Sequence, residues 1–239
     1  MKNMRDMSGE EIMDMPRYGL DDKLLLSCKA CGKCCHNRHD LILTLYDVFN
    51  VAKYLGRETG YVISRYCELY IGDNSKLPIV RVKPVPPTNA CPFLHGKRCG
   101  IHKLKPVVCS VYPLARVFLN PEIHRAEFLN PQECSENPPK REYVIRDWIG
   151  HASSEEAQIA GAAFSKMARM VTEGLRSDEA KALGVDDFSK IYSLMTRAMY
   201  IDYDTSGDFR SQFNHNMLIM CEELCNYFPI CSWRCPTLD

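Results

Sequence analysis

SCKACGKCCH, residues 27–36, sets cysteines at positions 28, 31, 34 and 35 and closes the run on an adjacent pair. Such a stretch serves a disulfide knot, a zinc clip or the seat of an iron–sulfur cluster, and the choice decides what the surrounding chain must fold around. Two-residue spacers let a tight turn carry alternate sulfurs to one side, so Cys28, Cys31 and Cys34 can converge on one centre. Gly32 suits a turn with positive φ, in which successive backbone N–H groups face thiolates or sulfides.

The wider sequence argues against the disulfide knot. With 239 residues the chain can build a real hydrophobic core without cross-links. The opening stretch MKNMRDMSGEEIMDMPRYG mixes charges of both signs, unlike a signal or transit peptide, and nothing approaches the ~18 apolar residues of a membrane span. A soluble cytoplasmic protein is expected, and in that reducing compartment thirteen cysteines, an odd number, do not persist as a disulfide framework. Thirty basic and thirty acidic side chains cancel, so no global field attracts nucleic acid or an anionic membrane. A protein partner or protein substrate remains open.

The cysteines fall into groups. After the first, CPFLHGKRCGIHKLKPVVCSVYP supplies Cys91, Cys99 and Cys109, and PQECSENP supplies Cys134, making eight thiols with Cys28, Cys31, Cys34 and Cys35. Adjacent residues rarely bind one ion, so Cys34 and Cys35 can serve different sites, or one can stand beside the other's metal. Bacterial ferredoxins begin with the same three cysteines but continue with three spacers and a Cys-Pro, and this chain departs from them at the fourth ligand. The three-cysteine start favours iron–sulfur, as a 4Fe-4S cluster, over zinc or mononuclear iron, because zinc sites more often pair two separated knuckles. His36, His39, His95 and His102 lie near the motifs, where hydrogen-bonding or surface roles suffice; His124, His151 and His215 read as ordinary. Cys67 reads as a buried small hydrophobe. MCEELCNYFPICSWRCP adds Cys221, Cys225, Cys231 and Cys235, a candidate second metal site or a capped hairpin of buried cysteines. No phosphate-binding glycine loop or catalytic nucleophile signature is present, so no catalytic residue is assigned.

Along the chain, Thr44 and Asp47 open a helix ending near Gly56, and a second helix is expected from Thr59 to Ile71, with Cys67 inside it. LPIVRVKPVPPTN reads as one short strand at a sheet edge running into a rigid loop. Little regular structure is expected between Cys91 and Pro113, a short strand within 121–129, and a turn-rich connection from Pro131 to Pro139. Beyond it, Ser153 or Ser154 caps a long helix, and two more cover Asp186 to Tyr200 and Asp208 to Cys225. The fold class expected is mainly α with a small irregular β portion, an α+β protein. A metal-stapled cysteine domain (1–150) would be followed by a helical region (151–239).

CKACGKCC at 28–35, CPFL at 91–94 and CGIHKLKPVVCSVYPL at 99–114 together resemble the YkgJ-type cysteine-cluster family, described as a zinc- or iron-chelating domain and related to flagellin lysine N-methylases. The resemblance implies metal binding by these cysteines. It also implies, as an alternative, a protein-lysine N-methyltransferase using S-adenosylmethionine, for which Tyr46 and Tyr112 could shape a pocket. The family carries Arg-Pro before its last motif cysteine and a basic residue after it. Here Lys105 precedes Pro106, keeping the charge without the guanidinium fork, and Ser110 follows Cys109.

Overall fold

The computed structural model describes residues 8–118, 126–130 and 139–228. Helix is about 49% against 17% strand, a mixed α+β architecture. In chain order the described elements begin with α1 (Gly9–Met13), β1 (Lys23–Leu26), β2 (Ile42–Leu43), α2 (Leu45–Leu55), α3 (Thr59–Tyr66), β3 (Cys67–Ile71) and β4 (Pro78–Val82). A small hairpin, β5 (Leu94–His95) and β6 (Arg98–Cys99), precedes α4 (Val107–Val111), β7 (Ala115–Val117), β8 (Glu127–Leu129), β9 (Arg141–Val144) and α5 (Ile145–Ile149). The remainder is helical: α6 (Glu155–Gly174), α7 (Asp178–Lys181), α8 (Val185–Thr196) and α9 (Phe209–Leu224), with a π-turn at Arg197–Ile201.

Helix α2 forms as its capping residues dictate. The Thr44 hydroxyl accepts from the Asp47 N–H, Asp47 answers on the Thr44 N–H, and Gly56 ends the helix at φ 60°, in the left-handed region. Ser154 caps α6 and Asp208 caps α9 in the same way, as expected. Two expectations fail. The helix from Thr59 stops at Tyr66, and Cys67–Ile71 is strand β3, paired antiparallel with β4 over five residues. β4 is the centre of the order β2-β4-β3 and not an edge. The spacing of Tyr66, Leu69 and Tyr70 suits a helix locally. A five-residue ladder to β4 offers those residues hydrogen bonds that a last, unpartnered helical turn lacks.

Two buried clusters lie side by side. The larger joins α2, α3 and β4 to Ile159, Met167, Met195, Phe213 and Met220 of the C-terminal helices, so residues on both sides of position 150 share one core. The smaller gathers Leu26, Phe128, Ile145 and Ile149 around the β1–β9 pair. The short helix α4 stands between them: Val107 and Val111 face the smaller cluster, while Val108 and Cys109 pack on the larger. Each fully buried Leu, Val or Phe contributes about 1.5–3 kcal/mol, so the turn carrying Cys109 is held from two sides. Strand 127–129 falls within the expected 121–129. Residues 121–125 and 131–138, which include Cys134, lie outside the described residues.

Candidate metal centre

Gly32 holds φ at 77°, and a Cβ there would meet the Lys97 carbonyl at 3.2 Å, so both the turn and its contact with the β5–β6 hairpin require glycine. The 3₁₀ turn that follows, Lys33–Cys35, is closed by the Cys35 N–H donating to the Gly32 carbonyl at 2.9 Å. Two backbone bonds then tie this turn to a segment over fifty residues away: the Cys91 N–H donates to the Cys35 carbonyl at 2.8 Å, and the Asn37 N–H to the Asn89 carbonyl at 2.9 Å. The hairpin returns through Gly96, at φ 61°, and sets Leu94 opposite Cys99. Cys109 arrives on α4. The Val107 N–H at its start donates to Asp47 Oδ1 at 2.8 Å.

This scaffold gathers Cys34, Cys91, Cys99 and Cys109. Every pair among the four interacts electrostatically, each thiolate opposing the ionisation of the others. Burial pushes the Cys91, Cys99 and Cys109 thiols up, Cys109 well above the ordinary thiol range. Cys35 is raised further, first because its thiol donates to Cys34 and then by burial. The same hydrogen bond lowers Cys34 to about 6, helped by the positive charges of Arg38 and Lys105. Metal-free, the site is therefore one stabilised thiolate among thiols that a cation would deprotonate together.

Backbone amides prepare three sulfurs in one repeated way. The Ala30 N–H donates to Cys28 Sγ at 3.4 Å, the Phe93 N–H to Cys91 and the Ile101 N–H to Cys99, each from two residues downstream. A hydrogen bond to the anionic form favours the thiolate. Cations face the set as well. Arg38, held by Asp40 in a bidentate pair at 2.7 and 2.8 Å, acts on Cys34 and Cys109, and Lys105 acts on Cys34 and Cys99.

The structure separates the eight candidate ligands. Cys34, Cys35, Cys91, Cys99 and Cys109 come together. Cys28 is exposed and Cys31 half-buried on the incoming loop, and Cys134 is not among the described residues. As they stand, no three His, Cys, Asp or Glu side chains among the described residues are grouped closely enough to hold a single ion. His39, His95 and His102 are exposed and His36 is half-buried. Cys67 is 6% exposed and raised to about 12 by burial, consistent with a packed thiol. In the C-terminal group Cys221 and Cys225 are disulfide-bonded, so neither is a thiolate for the second site expected there; Cys231 and Cys235 lie outside the described residues. Tyr46 packs edge-on to Phe209 at 4.9 Å, and Tyr112 lies beneath the Arg38 guanidinium at 5.9 Å. A surface groove of about 390 Å³ between the β3–β4 turn and α6 is lined by Asn74, Arg169, Thr172 and Arg176, with no cysteine.

Sequence reasoning missed three contributors. Asp47 was legible as a cap but not as the anchor of Cys109's helix, sixty residues on. Arg38 carried no motif. His151, in the turn before α6, is half-buried, donates to the Lys105 carbonyl, and is held low by burial.

The low Cys34 value gives a direct expectation. In metal-free protein, alkylation of Cys34 by iodoacetamide should reach half its maximal rate at about pH 6, because the thiolate persists above its depressed pKa. Cys35→Ala removes the donor and should move that midpoint upward, which peptide-resolved rates against pH would show.

Residues 27–140 match the family model CxxCxxCC, described as "Putative zinc- or iron-chelating domain". No curated protein and no solved structure matches the chain.

Proposed function

Because residues 27–140 of this chain belong to the CxxCxxCC family of metal-chelating domains, we propose that it carries a 4Fe-4S cluster on Cys34, Cys91, Cys99 and Cys109, with Cys35 hydrogen-bonded to Cys34. The observation that carries this reading is the pair of backbone bonds, Cys91 N–H to the Cys35 carbonyl at 2.8 Å and Asn37 N–H to the Asn89 carbonyl at 2.9 Å, that hold the Cys34 turn against the Cys91 segment, with the four sulfurs near enough to act on one another electrostatically. The donor set suits the group: four thiols, amides aimed at two of them, and Arg38 and Lys105 to offset the net negative charge of a thiolate-bound cluster.

Four thiolates serve a 4Fe-4S cluster and a zinc ion alike, and metal analysis separates the two. A bound cluster would supply redox or Lewis-acid chemistry. Cys28, exposed, and Cys31, half-buried, sit outside this set on the incoming loop. The eight unpaired thiols suit a reducing, cytoplasmic setting, and the disulfide-bonded Cys221 and Cys225 run counter to it.

Anaerobic purification followed by iron, zinc and acid-labile sulfide analysis, with the visible spectrum, tests the proposal. Iron and sulfide in matching amounts with a broad band in the blue are expected. Zinc alone in a colourless protein would replace the cluster with a structural staple. Neither metal would overturn metal binding. The methylase alternative rests on family resemblance, and titration of the loaded protein with S-adenosylmethionine decides it: measurable heat favours a methyltransferase, and none removes it.

A further inference from the structure

Strand β3 forms one edge of the order β2-β4-β3. Its pairing with β4 runs in a fixed phase: the Lys83 N–H donates to the Tyr66 carbonyl at one end and the Gly72 N–H to the Leu77 carbonyl at the other, each at 2.9 Å. Bonded positions alternate in an antiparallel ladder, so residues 66, 68, 70 and 72 turn their backbone groups to β4, and Cys67, Leu69 and Ile71 turn theirs away. The Cys67 N–H is taken by the Ile63 carbonyl. On that outer side the N–H and carbonyl of Leu69 and of Ile71 meet no partner among the described residues. Leu69, Tyr70 and Ile71 are also 37–43% exposed. Edge strands are ordinarily blunted by lysine, proline or a bulge, and β3, CELYI in unbroken register, has none of these.

We propose that this edge pairs with the same edge of a second copy of the chain, antiparallel about a two-fold axis at Leu69, joining the two three-stranded sheets into one. Charge complementarity selects the occupant and the register. Free backbone groups meet free groups only when odd-numbered residues face one another, and centres at Leu69 and at Tyr70 both satisfy this over most of the strand. The side chains decide between them. Arg81 lies over the Tyr70 ring at 4.8 Å and holds Glu68 at 2.8 Å. A Tyr70 centre would bring the two Arg81 guanidinium groups together. A Leu69 centre instead sets Glu68 of each copy opposite Tyr70 of the other, a carboxylate beside a guanidinium on both sides of the axis. Beyond the strand ends the same register brings exposed Arg65 beside exposed Asp73 of the other copy.

In this pairing Leu69 exchanges both its backbone bonds with Leu69, and each Ile71 N–H donates to the Cys67 carbonyl across the axis, the Cys67 N–H being already spent on α3. Leu69 packs against Leu69 and Ile71 against the buried Cys67, so apolar surface leaves water as the ladder forms. A five-residue strand on each side makes an interface at the small end of the known range. The dimer is therefore reversible, half-dissociated at about 1–100 μM. None of Cys34, Cys91, Cys99 and Cys109 lies on β3 or β4, so the pairing does not rest on the cluster reading.

The test is sedimentation equilibrium of the full chain in reductant, as purified and again after chelation, from about 1 to 500 μM. A monomer–dimer equilibrium is expected in both samples. Leu69→Lys sets two lysines opposite each other and should weaken the dimer more than about 10-fold. Should that variant not fold, Ile71→Lys, at a residue equally exposed, replaces it. Arg65→Glu should weaken the dimer about 3–10-fold, since the contact is made twice by symmetry. The double variant Arg65→Glu/Asp73→Arg exchanges the charges and should restore it to within about 3-fold of the unaltered chain. A monomer at every concentration, a dimer that withstands the lysine, a charge exchange that restores nothing, or a dimer present only before chelation would each overturn the pairing.

Discussion

Cys109→Ser is expected to strip the centre of metal, whereas Cys28→Ser leaves it occupied. Cys109 interacts with Cys34, Cys91 and Cys99 and rides on a helix packed between both cores. Losing a single hydrogen bond that orients a ligand costs roughly 10–100-fold in metal affinity, and losing the ligand itself should exceed that. Cys28 is exposed on the loop leading into the pair, and its replacement should cost less than about 10-fold by the same yardstick. Metal retained per chain after a chelator challenge checks both. Cys67→Ala serves as the control. It should lower stability by about 1 kcal/mol or more through lost packing and leave metal content unchanged. Equal loss from Cys28→Ser and Cys109→Ser would refute the division between the gathered set and the incoming loop.

Asp47→Ala should be the most damaging change outside the cysteines. The carboxylate is 3% exposed, takes the Thr44 N–H and hydroxyl on Oδ2 at 2.9 and 2.8 Å, and takes the Val107 N–H on Oδ1 at 2.8 Å. One side chain thus caps α2 and pins the start of the Cys109 helix. Each buried donor left without a partner costs about 1–3 kcal/mol, for a total of about 3–5 kcal/mol. At roughly 2–4 °C per kcal/mol for a chain of this size, the melting temperature should fall by about 6–20 °C, measured on metal-free protein so that ligand loss is not counted twice. Asp47→Asn should fall between, because its amide keeps one acceptor and turns a donor toward a donor. Burial raises the Asp47 pKa above its ordinary 3.8. The native state then holds the proton to higher pH than the unfolded chain, and stability from this group declines as pH rises through that window. Asparagine does not titrate, so its deficit should narrow as pH rises, as paired melts at several pH values would reveal.

Much of the site was legible, and for short-range reasons. The Cys-x-x-Cys-x-x-Cys-Cys run, Gly32 as a left-handed turn and the Thr44–Asp47 cap all act within a few residues, where spacing sets geometry directly. The amphipathic helices α6, α8 and α9 were legible because burial of one face imposes a 3.6-residue period. β3 was not, since Cys67–Ile71 satisfies a helical period and becomes a strand only because β4 lies alongside. The β1–β9 pair, joining residues 23–26 to 141–144, left no local mark at all.

By itself, then, the sequence determined the candidate donors: where the cysteines lie, that Gly32 permits a turn presenting amides, and that a metal suits them. Which thiols lie near one another was decided only in three dimensions. Cys34 meets Cys91 through backbone bonds between residues 35–37 and 89–91, Cys109 is delivered by Asp47 from another helix, and Arg38 and Lys105 close in from separate loops. Cys221 and Cys225, equally dense in the sequence, took the other path, to disulfides. The physical reason is the same throughout: spacing governs what neighbours along the chain can do, but a sulfur's partners are set by which distant segments the core holds against it.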